Sequence, residues 1–142
     1  MTAREAEIIE LIRKEVKPAL GCTEPIAVAL AVAKAMEIIE DNCALAPHWR
    51  MQDGFTLRIE VSGNILKNGM GVGIPGTGMV GLHIAAALGA VCGRSEYGLE
   101  VLNDLDEASI ERAKQLVLDK SVTVGLAETD HKLYVKAIIE CK

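Results

Sequence analysis

Two stretches of this chain are apolar on every side of a helix, and they limit what it can become. Ile26 to Ala33 carries no polar side chain, and in Met79 to Cys92 only His83 and glycines interrupt the run. A helix that is hydrophobic around its circumference has to be enclosed by other elements. The first of these helices starts near Pro25 and runs to about Glu40, with a thin polar stripe of Lys34, Glu37 and Asp41 late in its course. The second is ended by Gly93.

The remaining segments supply the cover. Thr2 and Glu5 form a capping box at the start of an amphipathic helix. Ile8, Ile9, Leu11, Ile12 and Val16 share its apolar face, and Glu7, Glu10, Arg13 and Lys14 lie opposite, until Pro18 and Gly21 end it. Residues 42–54 read as a loop. In Phe55 to Val61, Phe55, Leu57, Ile59 and Val61 alternate with Thr56, Arg58 and Glu60, a half-buried strand. Residues 62–78 read as a glycine-rich loop, and Asp106 caps a second amphipathic helix from Glu107 to about Asp119. Residues 122–127 and 133–139 read as strands joined into a hairpin by Glu128 to Lys132. The expectation is one α+β domain over residues 1–142. Two buried Ala-rich helices and two amphipathic helices pack on a small three-stranded antiparallel or mixed sheet.

Composition excludes several classes. Half the residues are hydrophobic, a quarter are charged and the net charge is −5, with acids and bases interspersed. No basic block points to nucleic acid. The apolar runs are too short to span a bilayer, and no charged leader with a cleavage site opens the chain. A cytoplasmic protein is expected, and Cys22, Cys43, Cys92 and Cys141 are then thiols rather than disulfides. The chain ends within a few residues of a strand, so a continuing polypeptide, or a subunit that packs on something else, is expected.

The chemistry concentrates in Gly21-Cys22-Thr23-Glu24-Pro25. A cysteine just before a helix sits at the positive end of the helix dipole, which stabilises its thiolate. Thr23 and Glu24 are placed to orient that thiol or a substrate amine. The same residues also suit a plain helix start beside a buried cysteine, with Pro25 in the first turn.

A second constellation runs from Lys67 to Gly78. Gly71-Val72-Gly73-Ile74-Pro75-Gly76 matches the dinucleotide pattern GxGxxG in form only. Residues 62–70 separate it from the strand, and Pro75 lacks the N–H that a phosphate-cradling turn uses. Two readings stay open: backbone amides that bind a carboxylate, or tight turns that let backbone pack closely. His83 reads as a core histidine, and His48 and His131 as solvated. Cys43, Cys92 and Cys141 read as core residues. No spacing forms a metal site or a known cluster pattern, so no metal ligand is assigned.

Taken together, Gly21-Cys22-Thr23-Glu24-Pro25-Ile26-Ala27, Lys67-Asn68 and Gly71 through Gly78 resemble the L-cysteine desulfidase branch of the iron–sulfur L-serine dehydratase alpha family. Ala85 to Gly89 and Gly98 to Leu102 also fit. The resemblance implies a lyase that eliminates sulfide or water from cysteine or serine, giving pyruvate and ammonia. It implies a [4Fe-4S] cluster whose ligands lie mainly in a C-terminal half beyond this chain. This chain would then be an N-terminal portion that binds no cluster and is inactive alone. It would need the missing portion or a partner subunit, in a homo-oligomer. Cys22 would act in proton transfer at the substrate α-carbon, with Thr23 and Glu24 beside it. Asn68, Gly76, Thr77 and Gly78 would hold the substrate carboxylate, on physical grounds. The alternatives are a cluster-free cysteine catalyst or small-anion binder, and a structural assembly domain whose greasy helices serve docking.

Overall fold

The computed structural model describes residues 2–15, 23–74 and 76–142, with the side chains of 11–15 outside that description. Pro18, Gly21, Cys22 and Pro75 therefore lie outside the described residues. Helix α1 is Ala3–Glu15, α2 Thr23–Asn42 and α3 Trp49–Gln52. Strand β1 is Phe55–Val61, followed by α4 Gly63–Gly69 and α5 Leu82–Cys92. A 3-10 segment Ser95–Glu100 leads to α6 Glu107–Leu118, β2 Val122–Leu126 and β3 Val135–Cys141.

The fold is α+β, built on a three-stranded mixed sheet in the order β2-β1-β3. β1 runs parallel to β2 and antiparallel to β3. The expected hairpin between residues 122–127 and 133–139 is therefore corrected: β1 lies between the two strands. The reason is burial. Phe55, Leu57, Ile59 and Val61 form the buried face of β1, so β1 takes the centre and one partner on each edge. Residues 127–134 cross the end of β1 instead of turning back. Ser62 holds that crossing: its hydroxyl donates to Lys132 O (2.7 Å) and accepts from Tyr134 N–H (3.2 Å). The Ser62 N–H donates to Tyr134 O at 3.0 Å.

Helices α2 and α5 pack against each other, α2 also against β3 and α5 against β2. Of the two expected apolar helices α5 is enclosed, with nine of its eleven residues buried, whereas α2 buries one side and leaves Ala27, Leu30 and Ala31 half-buried and Ile38 exposed. α6 covers α5. The crossing of α2 and α5 is closer than side chains allow. A Cβ on Gly89 would lie 2.4 Å from Ala29 O, and one on Gly93 would lie 2.8 Å from the Ala33 Cβ. Alanine and glycine on the facing surfaces bring the two backbones together.

Other boundaries shift. The stretch read as a loop after β1 opens with α4, the loop at 42–54 contains the single turn α3, and α5 begins at Leu82 rather than Met79. Gly81, at φ +100°, keeps residues 79–81 out of that helix. The capping box on α1 forms as read, with Thr2 N–H on Glu5 Oε2 and Glu5 N–H on Thr2 Oγ1, both 3.1 Å. Ile8 and Ile9 of α1 are nonetheless exposed, Ile8 at 48%.

Asp106 caps α6 as read, its carboxylate accepting from Ser109 N–H at 2.8 Å. That backbone hydrogen bond, with help from the Ser109 hydroxyl, holds the Asp106 carboxyl below the usual carboxylate range. A depressed folded pKa means stability that is present above the ordinary aspartate value, about 3.9, and is lost as pH falls through the folded one. Asp106→Ala should therefore melt earlier than the parent at pH 7, and the gap should narrow as the pH is taken down past the ordinary aspartate value. A gap that persists at low pH would refute the cap as its origin.

Candidate functional site

Helix α2 is twenty residues long and opens with Thr23 and Glu24, so four backbone N–H groups at its start lack intrahelical partners. Its first turn faces a pocket of about 230 Å³. Thr23, Glu24 and Ala27 form one wall, Ile65 of α4 the floor, and Leu133, Tyr134 and Val135 the far wall. Thr23 is exposed, whereas Glu24, Tyr134 and Val135 are half-buried. The pocket thus puts a hydroxyl, a carboxylate and the positive end of a long helix against an apolar floor. Such an end attracts an anion. Cys22, one residue before Thr23 in sequence, lies outside the described residues.

The far wall was not legible in sequence. Leu133 and Tyr134 read as the start of a hairpin strand, and only the crossing over β1 swings them to the α2 start. The signal for Ile65 was equally hidden, inside a segment that read as loop.

The glycine loop lies elsewhere. None of Asn68, Gly76, Thr77 and Gly78 lines the α2 pocket. Asn68 is exposed on α4. Thr77 is 4% exposed, and its hydroxyl donates to Ile74 O (2.8 Å) and accepts from Met79 N–H (3.0 Å). Ile74 N–H bonds Met79 O, and Gly81 N–H bonds Val72 O. The loop closes on itself through these bonds, with Gly76 and Gly78 at φ +83° and +69° making the turns. Of the two readings open in sequence, these hydrogen bonds match the tight-turn one: the Thr77 hydroxyl is bonded within the loop.

A larger cavity, about 570 Å³, lies between α3, the end of α5 and the start of α6. Its charges are already partnered. Arg50 pairs with Glu40 and donates to Gly93 O, Arg94 pairs with Asp104 at 2.7 Å, and Glu37 accepts from Ser95 N–H and Oγ–H. Trp49 borders it, but the indole N–H is buried, without a hydrogen-bond partner among the described residues, and does not reach the cavity's solvent. This network braces α2 against α3 and the 3-10 segment. Cys92 opens onto the same cavity, and burial pushes its thiol up to about 11, so it is protonated at neutral pH.

Metal donors are scattered. Among the described residues no group of three or more His, Cys, Asp or Glu is placed to hold a metal ion. Partial burial, then Cys43 and Asp53 nearby, pushes the Cys141 thiol up as well. Cys43 and Cys141 are exposed and Cys92 is half-buried on the wall of the larger cavity, with no third donor grouped beside any of them among the described residues. The described cysteines do not fit an iron–sulfur cluster. No helix among the described residues is long and apolar enough to cross a membrane.

Comparison with known proteins corrects the family resemblance. The chain is 50% identical over 137 residues to a UPF0597 protein of Parabacteroides distasonis, covering 96% of this chain and 29% of that protein. It is 51% identical over 133 residues to a UPF0597 protein of Bacteroides thetaiotaomicron (93% and 28%), and 49% identical over 132 residues to one of Shewanella pealeana (92% and 29%). These relatives, and not an L-cysteine desulfidase or L-serine dehydratase, are what the chain is similar to at high identity. It spans less than a third of their length. No family model matches the chain. No solved structure matches it.

Proposed function

We propose that this chain supplies the substrate-holding part of a lyase that removes the β-substituent from a small α-amino acid, sulfide from cysteine or water from serine. The observation that supports it is the pocket of about 230 Å³ at the start of α2, with Thr23 and Glu24 in its lining and Cys22 next in sequence. The volume suits a ligand of a few heavy atoms. The N–H groups of the first turn and the Thr23 hydroxyl take the substrate carboxylate, and Glu24 takes the ammonium. The Cys22 thiolate removes the α-proton. The C–H electron pair becomes the Cα=Cβ bond as the Cβ–S or Cβ–O bond breaks and sulfide or hydroxide departs. The aminoacrylate so formed tautomerises to an imine, which water hydrolyses to pyruvate and ammonia. The described residues do not suit an iron–sulfur cluster, so no step here runs through one.

The test places this chain in the Parabacteroides distasonis relative, in exchange for the matching segment, and assays pyruvate from L-cysteine and L-serine under anaerobic conditions. Cys22→Ser should lower kcat by about 10²-fold or more without moving the melting temperature. Full turnover by that variant removes Cys22 from the mechanism, and no turnover of either amino acid by the parent chimera, properly folded, removes the elimination reading.

A further inference from the structure

We infer that Cys43 and Cys141 form a reversible disulfide that fastens the end of α2 to the end of β3 when a disulfide oxidant is present. Both thiols are free and exposed. The sheet register places Cys141. It lies opposite Phe55, as Ile139 lies opposite Leu57, Ala137 opposite Ile59 and Val135 opposite Val61. Directly paired residues share a face, and Phe55, Leu57, Ile59 and Val61 form the buried face of β1. Cys141 therefore ends the row of β3 residues that faces the helices. Val135, Ala137 and Ile139 of that row pack on the core.

Helix α2 brings Cys43 to the same end of the sheet. Its first turn borders Val135, where β3 begins, and the helix packs against β3. The helix ends at Asn42, and Cys43 N–H closes its last turn on Ile39 O at 2.9 Å. From there the chain turns toward the start of β1. Trp49 N–H bonds Ala46 O at 3.2 Å, and the Trp49 ring meets Phe55 edge-on with centroids 5.8 Å apart. Phe55 is the residue opposite Cys141, so the segment that begins at Cys43 passes the end of β3 that carries Cys141. Consistent with this, burial first and then the neighbouring Cys43 push the Cys141 thiol above its ordinary value. Cys92 lies elsewhere, at the wall of the larger cavity, where its thiol donates to Leu88 O at 3.4 Å.

The exchange balances with glutathione disulfide as the oxidant. One protein thiolate attacks it, and a mixed disulfide forms as one glutathione thiolate leaves. The second protein thiol gives up its proton, attacks the protein sulfur of the mixed disulfide and expels the other glutathione. Two protein thiols become one disulfide, one glutathione disulfide becomes two thiols, and the two protons end on glutathione. The product closes residues 43–141 into a loop that holds the sheet, α5 and α6. The clamp grips α2 at the end remote from the candidate pocket, and the inference does not depend on the elimination chemistry.

The test incubates this folded chain with glutathione disulfide at about pH 8.5, where thiolate is available, then alkylates, digests and maps the linked peptides by mass spectrometry. A peptide joining Cys43 to Cys141 should appear in monomeric protein and vanish on reduction with dithiothreitol. The oxidised protein should melt about 5 °C or more above the reduced one. Cys43→Ser and Cys141→Ser, both at exposed positions, should each lose the linked peptide and the gain in melting temperature. Glutathione left on either cysteine without a link between them overturns the inference. So does a link to Cys22 or Cys92 in its place, or a link found only between two copies of the chain. A Cys43–Cys141 link that leaves the melting temperature unmoved shows that nothing is clamped, and overturns it too.

Discussion

Gly89→Ala lowers the melting temperature by about 6–8 °C, although alanine is the better helix former. The residue lies inside α5, where exchanging glycine for alanine in open surroundings gains about 1 kcal/mol. Here the added methyl would sit 2.4 Å from Ala29 O and 2.8 Å from Ala29 Cα. Both are backbone atoms of α2, so no side chain can swing aside. The helices must separate, and the contacts along their whole crossing loosen. Overpacking of a buried site costs up to about 3 kcal/mol, which leaves a net loss of about 2 kcal/mol after the helical gain. For a chain of this size that is a shift of several degrees. Gly125→Ala is the control. Nothing lies within 4 Å of its Cβ position, and its melting should be close to that of the parent. If Gly89→Ala melts at or above the parent temperature, α2 and α5 do not cross as closely as described.

Ser62→Ala is expected to destabilise the fold by about 2 kcal/mol, seen in urea as a midpoint lowered by roughly 1 M with unchanged slope. Ser62 is 2% exposed, and its hydroxyl gives Lys132 O a donor and Tyr134 N–H an acceptor. Alanine leaves a half-buried N–H without its partner, and the cost of an unmade buried hydrogen bond exceeds the worth of a made one. The backbone bond from Ser62 N–H to Tyr134 O remains, so the crossing should loosen rather than detach. Thr129→Ala, which removes a bond to the exposed His131 N–H in the same loop, should stay within about 0.5 kcal/mol of the parent. Equal effects at the two sites would mean that Ser62 does not anchor the crossing.

The two substitutions mark where reading the chain succeeds and where it stops. That α5 would be enclosed was legible from its apolar circumference, whereas α2, read the same way over its first turns, keeps a half-buried side at Ala27, Leu30 and Ala31. That Gly89 sits on the Ala29 backbone was not legible, because the distance between two helices is set by which faces meet. Thr77 shows the same limit. Its position in a glycine-rich loop suggested a ligand, but its hydroxyl is taken by Ile74 and Met79, a closure visible only once the loop is built.

The candidate site divides in the same way. Thr23 and Glu24 at a helix start were legible from Pro25 and the apolar run behind it. Ile65, Leu133 and Tyr134, which complete the pocket, come from a helix and a crossing that sequence read as a loop and a hairpin.

What the sequence determined by itself is local. It set the capping boxes and caps at Thr2 and Asp106, the alternation of Phe55 to Val61, and the burial of α5. Each depends on neighbours three or four residues apart, or on a periodicity carried within one element. The tertiary structure alone decided the strand order β2-β1-β3, the closeness of α2 and α5, and the walls of the α2 pocket. Two adjacent strands with a short connection pair as readily with each other as with a third. The choice fell to β1 because its fully buried face belongs at the centre of the sheet, and no local pattern in residues 122–141 carries that information.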